Sequence, residues 1–151
     1  MYQMHRVFCA TPWGMEAERI AFYDIIGRFN EALAMARGIL FVPVSLLNTQ
    51  DKRRLQYDID ENIRQCRYFI LLLEDSWGPP ERNFQRDYRL ALQLLEAPDQ
   101  PMEAVVWMQK NQPGIPKPLD GMPSPDGAFG TAPEFDVLLT GMLSAWLDEI
   151  V

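Results

Sequence analysis

Two short loops carry most of the side chains in this sequence that can do chemistry. Thr11-Pro12-Trp13-Gly14 and Glu74-Asp75-Ser76-Trp77-Gly78 each end in a Trp-Gly pair. An indole can stack on a planar ring, and a glycine lets backbone approach a ligand closely. Thr11 and Ser76 add hydroxyls, and Asp75 adds a carboxylate suited to a sugar hydroxyl. A helix beginning after Gly14 would present backbone N–H groups and a positive dipole end, which suit a phosphate. Asp87 is a further candidate. At about 100° per residue it lies roughly 70° from the centre of a Phe84/Tyr88/Ala91/Leu95 stripe, in the first turn of its helix. Plainer roles stand beside these. Both tryptophans can cap the core, and both glycines can serve tight turns. Asp87 can act as a helix-dipole carboxylate or pair with Arg19, Arg82 or Arg86.

Other chemistries find no support. There is no G-x-x-x-x-G-K-[ST] loop, no G-x-G-x-x-G after a strand and no G-x-S-x-G elbow. His5 is the only histidine and precedes the expected first strand, so a Ser-His or Cys-His pair would sit at the wrong end of the sheet. Cys9 and Cys66 fall in apolar stretches and read as small buried hydrophobes, which fits a free-thiol cytoplasmic protein. One histidine and no cysteine cluster leave no metal site to expect. The net charge of −7 opposes a nucleic-acid backbone. The one basic run, Lys52-Arg53-Arg54, reads as a solvated loop or helix start. No window has the length of a membrane span, and Met1 to Arg6 lacks the apolar centre of a signal peptide.

The elements that must position these residues follow from the apolar pattern. Val7 to Ala10 reads as a first strand, and Phe22, Ile25, Ile26, Phe29 and Leu33 as one face of a first helix that Gly38 stops. Ile39 to Val44 is a second strand. Pro43 cannot donate to a ladder, so this strand belongs at an edge. A polar stretch from Ser45 to Arg54 precedes a second helix carrying Leu55, Ile59, Ile63 and Cys66 on one face. Tyr68 to Leu73 is continuously apolar, as in a parallel strand covered on both faces. The third helix starts near Asn83, a favourable N-cap. Ala104 to Met108 is a fourth strand. Residues 109–130 hold five prolines and four glycines without periodicity and read as one long loop, a flap over the same end of the sheet. Thr131-Ala132-Pro133-Glu134 reads as a capping box that opens a last helix with Phe135, Leu138, Leu139, Met142, Trp146 and Ile150 on its apolar face.

Strands alternating with helices over 151 residues imply one α/β domain. The edge proline and the apolar third strand imply a four-stranded parallel sheet of order 2-1-3-4, with helices on both faces in a flavodoxin-like three-layer sandwich. In such sheets ligands bind beyond the carboxyl ends of the strands where the winding reverses, here between the first and third strands. That placement sets the two Trp-Gly loops side by side.

The segment His5-Arg6-Val7-Phe8-Cys9-Ala10-Thr11, followed by Met15-Glu16-Ala17-Glu18-Arg19, resembles the opening of TIR-like domains of bacterial signalling and defence proteins. Ile63-Arg64-Gln65-Cys66-Arg67, the apolar strand Tyr68 to Leu73, and Trp77-Gly78 continue the resemblance, which covers about residues 5–108. Some members of that family cleave NAD with a glutamate on the helix after the third strand, and the distantly similar nucleoside deoxyribosyltransferases use a glutamate in a similar place. The matching position here is Asp87, one methylene shorter, and the family's hydroxyl pair is reduced to Thr11. The resemblance therefore implies a stand-alone module that recognises an NAD-like nucleotide, a protein partner or a second copy of itself, with no cofactor required. The alternative it implies is an N-glycoside hydrolase or transferase acting on NAD or a nucleoside, with Asp87 as its carboxylate.

Overall fold

The computed structural model describes residues 1–12, 15–45, 52–77, 84–112 and 114–150. The elements run β1 (Gln3–Ala10), α1 (Glu16–Phe29), a π-turn (Asn30–Ala34) and a 3-10 turn (Met35–Arg37), β2 (Ile39–Val44) and α2 (Lys52–Gln65). Then follow β3 (Tyr68–Leu73), α3 (Phe84–Glu96), β4 (Ala104–Lys110), β5 (Gly127–Phe129) and α4 (Ala132–Ile150). All strands pair in parallel, in the order β2-β1-β3-β4-β5. Pro43 does lie on an edge strand, and every residue of the central β3 is buried.

Two cores flank the sheet. Cys9, Ile70 and Leu72 meet α1 and α4 on one face, where the Tyr68 and Trp146 rings stack at 4.2 Å. Phe8, Phe69 and Leu71 meet α2 and α3 on the other, where Phe8 and Phe69 stack at 5.6 Å. This is the three-layer flavodoxin-like arrangement. Both cysteines are free and buried, and burial pushes the thiols up, Cys66 to about 12, so neither is a reactive thiolate.

Several expectations are corrected. The sheet has five strands because Gly127–Phe129 adds a short edge strand to Met108–Lys110. Asp126 prepares that pairing. Its carboxylate accepts from the Trp107 N–H at 2.8 Å, and its own N–H donates to the Trp107 carbonyl at 2.8 Å. The connection expected over 109–130 is therefore shortened to the residues between Lys110 and Gly127, and within it Leu119 and Met122 lie against the α2/α3 core. His5 lies inside β1, which begins at Gln3 because β2 pairs with it from Ile39 onward. Leu33 is exposed and Ala34 buried, since the π-turn advances the helical face by one residue. On α3 the buried residues are Phe84, Asp87, Ala91 and Leu94, with Leu95 exposed. The expected N-cap Asn83 and the stripe residue Leu55 lie outside the described residues and side chains.

The turns obey their local chemistry. Gly38 ends the first helical segment at φ 76°, a left-handed conformation that glycine adopts without strain. Thr131 Oγ1 accepts from the Glu134 N–H at 3.3 Å, and Glu134 returns a carboxylate oxygen to the Gly130 N–H at 3.1 Å and to the Thr131 hydroxyl. The capping pair thus also ties down the residue that leaves β5.

Asn30 protects the outer edge of β2. Its amide donates to the Phe41 carbonyl at 2.8 Å and accepts from the Phe41 N–H at 2.9 Å, and the residue is buried. Two backbone groups that would template another strand are satisfied in this way. Asn30→Ala will lose about 2–4 kcal/mol in urea unfolding, because it strands a buried donor and a buried acceptor. An unchanged midpoint would mean water satisfies both groups.

Candidate functional site

The carboxyl ends of β1, β3 and β4 meet the first turn of α1. Thr11 follows β1 and is buried, Pro12 is buried beside it, and Met15 anchors the start of α1 in the core. α1 begins with acidic residues, Glu16 and Glu18, in its first turn. Glu18 reaches across the sheet end, and its Oε1 accepts from Lys110 Nζ at 2.6 Å. The Glu18 side chain is 11% exposed and Lys110 33%. The other Glu18 oxygen is buried without a hydrogen-bond partner. The Glu18 hydrogen bond raises the Lys110 ammonium above its usual range, burial opposes this, and Glu74 adds to the rise.

Next to this ion pair is a cavity of about 190 Å³ lined by Glu74, Asp75, Lys110, Asn111, Gln112 and Lys117. Gln109 ties together two of the residues that line it, Glu74 and Lys117. Though almost fully buried, its amide donates to the carbonyls of Glu74 and Lys117 at 3.1 and 2.9 Å and accepts from the Lys117 N–H at 2.7 Å. It therefore fixes the segment after β3 to the β4–β5 connection. Gly114 turns the connection at φ 90°, a left-handed conformation that glycine adopts without strain and other residues do not. Paired carboxylates, two lysines and two amides can hold a ligand that carries both hydroxyls and phosphates. On the β2 side, Tyr23 clamps the strand end: its hydroxyl accepts from the Ser45 N–H at 2.8 Å and donates to the Ser45 carbonyl at 3.3 Å. Burial raises the Tyr23 phenol, so this hydroxyl stays protonated.

The residues singled out from sequence are distributed over this end of the sheet. Asp75 lines the cavity. Asp75 and Ser76 are exposed. Trp77 is half-buried, packs against the α2/α3 core, and its ring lies 5.9 Å from Tyr88 at an angle of 49°. Asp87 is fully buried in the first turn of α3. Trp13 and Gly14 lie outside the described residues, as does Gly78. Glu18 and Asp87 thus belong to helices on opposite faces of the sheet, with Thr11 just beyond the end of β1.

Sequence reasoning missed Glu18, Gln109 and Lys110 as site residues. A signal existed in Gln109-Lys110, two polar residues directly after an apolar strand, where they must emerge at the carboxyl end. Among the described residues no group of three or more His, Cys, Asp or Glu is placed to hold a metal ion, and no helix is long and apolar enough to cross a membrane. Compared with known proteins, the chain matches no family model and no curated protein.

Proposed function

We propose that this chain is a TIR-like signalling or defence module that recognises a nucleotide, NAD or a close relative, at the carboxyl end of its sheet. The observation that carries this reading is the Glu18–Lys110 pair beside the Glu74/Asp75/Lys117 cavity, at the carboxyl ends of β3 and β4, next to the switch point between β1 and β3. Lys110 and Lys117 suit phosphates, and Glu74 and Asp75 suit ribose hydroxyls. The bound nucleotide, or the surface around it, would then engage a protein partner or a second copy of the chain.

Asp87 supports a second reading. A fully buried carboxylate at this end of the sheet, on the helix after β3, fits a hydrolase or transferase that cleaves an N-glycosidic bond. The binding module is favoured because that carboxylate has no solvent exposure and because a shorter side chain misplaces it. An error of about 1 Å can cost roughly a hundredfold in rate.

Calorimetry with NAD and with nucleosides, together with product chromatography, separates the readings. The expected result is saturable NAD binding without turnover, with binding hardly changed in Asp87→Ala. Efficient cleavage abolished by Asp87→Ala would establish the enzyme instead, and no binding of any nucleotide would defeat both.

A further inference from the structure

At the opposite end of the sheet lies a larger cavity, about 340 Å³, with His5, Arg6, Gln65, Arg67, Gln100 and Glu103 in its walls. We propose that it is a binding site for a small oxyanion, a carboxylate or a phosphate monoester, held by the Arg6 and Arg67 guanidiniums beside His5. The reading is independent of the nucleotide reading, since the two sites use different strand ends.

Three observations carry it. The first is charge. Two guanidiniums face one carboxylate, Glu103, which leaves the lining one unit positive with His5 neutral. Arg67 Nη2 is paired with Glu103. Arg6 has only a neutral partner among the described residues, Gln65 Oε1 at 2.9 Å. Planar guanidinium forks match carboxylate and phosphate oxygens, which a single ammonium does not.

The second observation is that the site is built on a buried polar side chain. His5 is 1% exposed, held in β1 with its ring 6.2 Å from that of Phe41. Arg67 Nη1 lies 2.8 Å from His5 Nδ1 and 3.3 Å from Nε2. A guanidinium can only donate, so the ring nitrogen that meets it accepts and the ring is neutral. Burial first and Arg67 second hold the imidazole below its usual range, and Glu103 opposes them. An anion between Arg6 and Arg67 would offset the Arg67 charge and favour the imidazolium, so anion binding and His5 protonation are linked. The third observation is size. The volume lies within the roughly 300–1,000 Å³ of small-molecule sites, with Met4 and Pro101 as an apolar wall for the body of the ligand.

His5 is the only histidine, so its ring proton resonances report the site in the intact chain without assignment ambiguity. We expect the His5 titration midpoint to rise on addition of sodium phosphate or sodium acetate and to saturate, and not to follow sodium chloride at equal ionic strength. A response to phosphate alone identifies a phosphate ester as the natural ligand class, and a response to acetate alone a carboxylate. Arg6→Gln and Arg67→Gln should each weaken the anion by roughly tenfold or more. Arg6 is exposed, so Arg6→Gln carries the test should Arg67→Gln fail to fold. A chloride response equal to that of both anions, no saturable response to either, or unchanged affinity in Arg6→Gln would overturn the proposal.

Discussion

Trp107→Ala will cost the protein about 3–5 kcal/mol, the usual loss for a large aromatic removed from a packed interior. Trp107 is 2% exposed and lies on the α2/α3 face of the sheet. Its indole N–H donates to the Pro123 carbonyl at 3.2 Å, and its backbone exchanges hydrogen bonds with Asp126. One residue therefore fills the core and holds the connection from β4 to β5. Because a domain is stable by only about 5–15 kcal/mol, the variant will be marginal. Trp107→Phe, which keeps a ring and loses the N–H, should cost clearly less. In both variants the amides of residues 119–129 should exchange faster, relative to those of β3, than in the parent. Denaturant unfolding and hydrogen exchange check this. A loss under about 1 kcal/mol for the alanine variant would mean that the connection is held by other contacts.

Lys110→Met will both destabilise the chain and weaken its nucleotide binding. Removing the ammonium leaves the nearly buried Glu18 carboxylate without its partner. Breaking a fully buried pair costs about 3–5 kcal/mol, and the partial exposure of Lys110 lowers this to roughly 2–3 kcal/mol. Loss of a charge-assisted phosphate contact should weaken the nucleotide roughly tenfold to a hundredfold. The double variant Glu18→Gln/Lys110→Met separates the two effects. It removes the stranded charge and should regain most of the stability, yet it should not regain binding. If the double variant recovers both, Lys110 acts only by neutralising Glu18 and makes no contact of its own to the nucleotide.

Much of the scaffold was legible in the sequence, for identifiable reasons. The unbroken apolar run Tyr68 to Leu73 suits a doubly covered strand, and Pro43 suits an edge, and those two facts together point to the order of the first strands. β5 was not legible. Gly-Ala-Phe has no strand-forming run, and its pairing is specified by the Asp126 side chain and the open edge of β4. Nor was the phase of the helices. The π-turn at Asn30–Ala34 moves Leu33 out and Ala34 in, and on α3 the choice of Leu94 over Leu95 brings Asp87 to within about 20° of the centre of the buried face at about 100° per residue.

The candidate site was legible in location and only partly in content. The switch-point rule led to the carboxyl end and to Asp75. The ion pair between Glu18 and Lys110 joins residues far apart in the chain. It depends on β4 continuing to Lys110 and on the start of α1 lying over the end of the sheet. No local pattern encodes that. The tryptophans show the opposite case. Trp77 looked like a stacking platform from its neighbours, and its ring is partly committed to Tyr88.

The most direct measurement of the central claim is the location of bound NAD on the intact, isotope-labelled protein, read from amide chemical-shift changes during titration. The account predicts saturable shifts concentrated at Thr11, Glu18, Asp75, Gln109 and Lys110, with those around His5, Arg6 and Glu103 unmoved. Saturable shifts confined to the His5 end, or no shifts at any NAD concentration, would contradict it.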